Sequence, residues 1–176
     1  DHQGVVAFRK SFTYADMDQL IKNRNRQSAF DLILILDSIV DPQNLGSIIR
    51  TAHCMGANGV IIPEDRSAQV TAAVNKTSAG SVQHIPIVKV VNLANTIDYL
   101  KDQGFWIFGA DTRGGQNIRD MDFNCSVVLV LGSEAKGIRP LVKQKCDFLI
   151  TIPLPGDFDS LNVSVASGII LFEMIS

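Results

Sequence analysis

The residues best suited to chemistry fall in three loops. In "DPQNLGSIIR", Asp41 and Pro42 make a good helix start, a capping side chain followed by proline at the first helical position. Asn44 would then lie in the first turn, where its amide can orient a neighbour or a substrate oxygen. Gly46 and Arg50 are four apart and share a face, so the missing side chain of Gly46 would leave room for a ligand beside the guanidinium. An ordinary solvated arginine is the alternative.

In "VVLVLGSEAKGI" an apolar strand runs into a loop bounded by Gly132 and Gly137. The glycines are spaced as in a phosphate-binding P-loop, but Ile138 stands where the phosphate-binding lysine belongs. Ser133 and Glu134 replace the second half of a dinucleotide G-x-G, and Glu134 puts a negative charge where a polyphosphate needs donors. Two readings stay open. The loop either holds a ligand that is neutral or cationic nearby, or is a plain strand-to-helix turn. In "ITIPLPGDFDSLNVSVASG" two prolines and a glycine force a rigid excursion after a strand, and Ser160 and Asn162 follow at the next element's start. Ser160 is there either a helix cap or a ligand group.

A chain of 176 residues, 46% hydrophobic and 19% charged, suits one α/β domain with a single core. "GVVAF", "DLILIL", "GVIIP", "IPIVKVV", "FWIFGA", "VVLVLG" and "DFLITIP" read as strands separated by helical patterns, which predicts a parallel sheet flanked by helices. Their unbroken apolar character predicts burial on both faces. Helices are expected over 15–22, 44–55, 68–78, 93–101 and 140–145. The segment after Ser160 is ambiguous, because Leu161, Val163 and Val165 alternate like a strand while Ser160, Ser164 and Gly168 fall on one helical face.

The apolar runs are too short to span a bilayer, so no membrane partner is expected. Cys54, Cys125 and Cys146 are odd in number, far apart and not near any histidine at ligand spacing, which predicts free thiols in a cytoplasmic setting and no metal. The net charge of −2 does not announce a nucleic-acid binder. Basic residues do cluster at Lys22, Arg24 and Arg26, and again at Lys136, Arg139 and Lys143, whose spacing is that of one helical face.

Taken in order, "LDSIVDPQNLGSIIRTAHCMGANGVII", "VVLVLGSEAKGI" and "ITIPLPGDFDSLNVSVASGIILFE" resemble the three motifs of the SpoU (TrmH) family of RNA ribose 2′-O-methyltransferases, in the SPOUT superfamily. "HQG" near the start and "DRSAQ" after the second strand are most similar to the bacterial subgroup that methylates a guanosine ribose of 23S rRNA. The resemblance covers nearly the whole chain. It implies one catalytic domain over residues 1–176, preceded in the family by a small RNA-binding domain, and a deep C-terminal trefoil knot.

S-adenosylmethionine would sit in that knot, held by backbone groups at Gly132, Ile152 and Leu161 and lined further by Ala110, Thr112, Ser133, Gly137 and Leu154. The resemblance makes Arg50 the catalytic residue, with Asn44 positioning it or the substrate, and Glu134, Ser160 and Asn162 completing the site across a homodimer. The final segment becomes a helix. The implied partner is RNA, ribosomal before transfer. The same reaction on tRNA and a non-catalytic RNA-binding assembly factor are the alternatives.

Overall fold

The computed structural model describes residues 12–22, 31–112, 114–156 and 160–176. Seven parallel strands form one sheet: β1 (Leu32–Asp37), β2 (Gly59–Pro63), β3 (Ile87–Val90), β4 (Trp106–Ala110), β5 (Gln116–Asn117), β6 (Val127–Gly132) and β7 (Phe148–Thr151), in the order β3-β2-β1-β6-β4-β7-β5. Among the described residues six α-helices accompany them: α1 (Met17–Lys22), α2 (Pro42–Cys54), α3 (Ala72–Thr77), α4 (Leu93–Asp102), α5 (Pro140–Lys145) and α6 (Val163–Ile175).

The central pair β1 and β6 is apolar along almost its whole length and buried on both faces. Alternate side chains therefore feed two cores. Leu32, Leu34 and Leu36 of β1 join α2, α3 and α6 on one side, while Ile33 and Ile35 join α1, α4 and α5 on the other. Each fully buried aliphatic side chain contributes about 2 kcal/mol, so this pair anchors the fold. Among the described residues no helix is long and apolar enough to cross a membrane.

Several expectations shift at the edges. "GVVAF" and the cations Arg24 and Arg26 lie outside the described residues. The seventh strand is instead β5, two polar residues paired with Ile150 and Thr151. Helix α2 starts two residues before Asn44, because Asp41 accepts hydrogen bonds from the backbone of Gln43 and Asn44 and Pro42 follows it. Helix α3 starts at Ala72 rather than Ala68: the Ala68 N–H donates to Ile39 O at 2.8 Å, and Thr71 provides the cap. Segment 163–175 is helical, resolving the ambiguous periodicity, and its cap is Asn162 rather than Ser160.

Candidate active site

The carboxyl ends of β1, β4, β6 and β7 converge on one end of the sheet, where ligands bind in open α/β folds. Asp37 ends β1 in register with Gly132 at the end of β6. After Gly132 the chain turns back on itself: Ser133 and Gly137 exchange backbone hydrogen bonds at 3.1 and 2.8 Å. Gly137 takes a left-handed φ of 65° in that turn. A Cβ on Gly132 would stand 2.1 Å from Gly137 C and Ile138 N, so the chain can pass over Gly132 only because a glycine is there.

This turn forms one wall of a cavity of about 340 Å³, within the range of small-molecule sites. All eight residues expected to touch a cofactor line it: Ala110, Thr112, Gly132, Ser133, Gly137, Ile152, Leu154 and Leu161. Glu134 and Ser160 line it as well. Sequence reasoning passed over Asp111, Thr151 and Ile170, which are among the other residues of the wall. Asp111 sits between two chosen residues, but its role is readable only in three dimensions: its carboxylate pairs with Lys143 Nζ at 2.6 Å.

Three of the expected catalytic residues meet at the rim. Asn162 caps α6, accepting from the backbone N–H of Ser164 at 2.9 Å and of Val165 at 3.4 Å. Its amide nitrogen donates to Asn44 Oδ1 at 3.1 Å and, at a shorter distance, to Glu134 Oε1. The same Glu134 oxygen accepts from Val163 N at 3.4 Å. A buried asparagine on α2, a carboxylate on the turn and the cap of α6 are thus tied together from all three loops.

Arg50 is not brought to this cluster. It is exposed on α2, one residue before Thr51, and lines neither the cofactor-sized cavity nor its neighbour. The space expected beside it at Gly46 is filled by protein, since a Cβ there would meet Thr77 Cβ at 2.7 Å and Val74 O at 2.9 Å. Gly46 serves the close packing of α2 on α3. Ser160 is exposed at the cavity mouth and caps nothing among the described residues.

The basic trio does not share a helical face. Lys136 lies in the turn, Arg139 precedes α5 and Lys143 lies within it. Arg139 Nε pairs with the fully buried Asp37 at 2.6 Å, and its backbone N–H donates to the same carboxylate at 2.8 Å. The cysteines are free thiols, with Cys54 exposed. Burial, then the Asp147 charge, pushes the Cys146 thiol up to about 12.

Residues 31–172 match the SpoU rRNA Methylase family. The chain belongs to that family. A protein of Staphylococcus saprophyticus assigned to the TrmH family of tRNA/rRNA methyltransferases is 47% identical over 173 residues, which cover 98% of this chain and 70% of the relative. The S-adenosylmethionine-bound rRNA methyltransferase of Sinorhizobium meliloti superposes with a TM-score of 0.81 at 31% identity, over 92% of this chain and 60% of that one. The TrmH/SpoU tRNA-modifying enzyme of A. aeolicus does so with a TM-score of 0.76, also at 31% identity, over 89% and 78%. In the SpoU family, then, the seven-stranded α/β fold described above is the shared scaffold, and the chain spans about three fifths of the Sinorhizobium enzyme's length.

Proposed function

We propose that this SpoU-family chain transfers the methyl group of S-adenosylmethionine to a ribose 2′-hydroxyl of RNA in the cytoplasm, with a guanosine of 23S rRNA as the favoured target. The observation that carries the reading is the position of the Asn44–Asn162–Glu134 cluster at the rim of a cavity lined by every residue expected to hold the cofactor.

The cavity suits that cofactor. Leu131, Ile150, Ile152, Leu161 and Ile170 offer apolar walls for an adenosine, and strand-end backbone groups offer hydrogen bonds. Glu134 borders it, and a carboxylate favours a sulfonium where it would repel a polyphosphate. Gly132, Ile152 and Leu161 are the residues we assign to hold it through their backbones. S-adenosylmethionine bound there would supply a methyl group on a positively charged sulfur for in-line displacement by the 2′-oxygen, with the neutral thioether as leaving group and the hydroxyl proton passing to solvent.

Alignment and charge are the protein's contributions. Asn162, itself held by Asn44, fixes Glu134, and with it the turn between cofactor and substrate. We assign Arg50 to steady the developing alkoxide or its neighbouring phosphate. A guanidinium resists deprotonation, so it serves better as a charge than as a base, worth about 3 kcal/mol of barrier by analogy with single oxyanion donors. Since Arg50 lies away from its own cavity, we assign it to the site of a second copy. Helix α6 supports such a homodimer: Val165, Ile169 and Phe172 form an apolar stripe, 52%, 40% and 61% exposed. The Gly168 backbone of α6 also lies beside Thr51, with 3.9 Å from its would-be Cβ to Thr51 Cγ2. The deep C-terminal trefoil knot belongs to this proposal and has its support in the SpoU-family likeness alone.

The favoured RNA rests on "HQG" and "DRSAQ"; the likeness to the A. aeolicus tRNA-modifying enzyme keeps tRNA as the second reading. Incubation with labelled S-adenosylmethionine and unmodified ribosomal or transfer RNA, followed by mapping of the methylated ribose, decides between them. Label in a 23S guanosine is expected. Label in transfer RNA alone would move the assignment to tRNA.

A further inference from the structure

A second cavity, of about 490 Å³, shares the Ser133–Gly137 turn and Val163 with the first. The rest of its wall comes from the chain after β1, from Asn44 of α2, from Arg66 after β2, and from Arg139 before α5. Three described residues other than glycine have a left-handed φ: Ser38 at 65°, Arg66 at 60° and Ala79 at 49°. Two of those three line this cavity. Such conformations are disfavoured for residues with a side chain and concentrate where a site requires a particular placement.

The acids around the cavity are already engaged. Asp41 caps α2, Glu134 receives Asn162 and Val163, and Asp37 behind the wall receives Arg139 and the hydroxyl of Ser38. The cations are not. Among the described residues the side chains of Arg66 and Lys136 enter no ion pair, and Arg139 uses only Nε, leaving its terminal nitrogens unspent. Ile39 and Val40 add apolar wall, and Val40 is 68% exposed at the surface. The cavity wall thus carries three cations against two carboxylates, with two of the cations outside any ion pair among the described residues, next to the place where a methyl group would be delivered.

We propose that this second cavity receives the target nucleotide of the RNA, its ribose at the shared turn, its base against Val40, and its phosphate held by Arg66 and Arg139. Asp37 is a positioning residue that sets Arg139. Arginine suits this role because its planar fork can bind a phosphate with two parallel hydrogen bonds. The inference rests on the methyl-transfer reading and adds the substrate contacts to it.

The test compares wild type, Arg66→Ala and Arg66→Lys. S-adenosylmethionine binding is measured by calorimetry, binding of unmodified ribosomal and transfer RNA by anisotropy across a salt series, and methyl transfer at saturating RNA. Arg66→Ala is expected to weaken RNA binding at least tenfold and to flatten the slope of log affinity against log salt by about 0.7, the loss of one phosphate contact. Cofactor affinity stays within about threefold, and Arg66→Lys restores the salt slope, which follows charge, but only part of the affinity, which needs the planar fork. Asp37→Asn raises the KM for RNA without lowering cofactor affinity. If Arg66→Ala leaves affinity and salt slope unchanged while the wild type methylates RNA, the inference is overturned alone. A wild type that binds no S-adenosylmethionine overturns the methyl-transfer reading and this inference with it.

Discussion

The side-chain nitrogen of Asn162 reaches 118 residues back along the chain to the side-chain oxygen of Asn44, at 3.1 Å. One residue thereby caps α6 and joins the first loop to the third. Removing the cap in Asn162→Ala should cost about 1 kcal/mol of stability. Asn162→Asp keeps a capping oxygen, yet loses the donor and sets a second carboxylate against Glu134. Thermal unfolding should rank wild type, then Asp, then Ala, whereas methyl transfer should fall as far in the Asp variant as in the Ala variant. Full activity in Asn162→Asp would show that the cap, not the donor, is what matters.

Gly132 is under a backbone crossing that leaves 2.1 Å for a Cβ. Gly132→Ala should therefore cost at least ~3 kcal/mol, at the upper end of overpacking penalties, because backbone and not a flexible side chain must move. Gly156, with nothing within 4 Å of its would-be Cβ, is the control. Gly156→Ala should melt within a degree or two of wild type, and Gly132→Ala should show a large drop in Tm or soluble yield.

Arg50 is assigned to the partner's site, which makes a mixing experiment decisive. Arg50→Ala and Asn162→Asp should each be nearly inactive alone. Unfolded and refolded together, they should regain activity, since a mixed dimer carries one site with both residues intact. Phe172→Asp, which puts a charge on the exposed stripe of α6, should sediment as a monomer and lose methyl transfer. No regain on mixing would place Arg50 in its own subunit's site.

The Cys146 thiol, pushed up to about 12 by burial and the neighbouring Asp147 charge, is protonated at ordinary pH. At pH 8 its thiolate fraction is on the order of 10⁻⁴. Iodoacetamide should label the exposed Cys54 first. Because the shift is upward, labelling of Cys146 should rise about tenfold per pH unit through pH 9, without a plateau. Mass spectrometry of timed digests reads both; equal rates at the two cysteines would contradict the buried placement.

The central strands were legible because a sheet buried on both faces leaves continuous apolar runs, as in β1 and β6. Strand β5 was not, since two polar residues at an edge carry no periodicity. The residues that line the first cavity were named only through the family resemblance of the three loops taken together, whereas no single loop decided between ligand site and plain turn. Gly46 was misread: sequence spacing shows an empty face, but not that α3 occupies it. The roles of Asp37, Ser38 and Arg66 were invisible, because a buried ion partner and a left-handed φ at ordinary residues have no sequence signature.

Alkaline hydrolysis of the labelled RNA distinguishes methyl transfer to the ribose from transfer to a base. A methylated 2′-oxygen cannot attack the adjacent phosphodiester, so that linkage survives alkali. Label from S-adenosylmethionine should be recovered in alkali-stable dinucleotides for wild type and be absent from them for Arg50→Ala. Label recovered in single nucleotides, or none transferred by a protein that binds the cofactor, would contradict methyl transfer to the ribose.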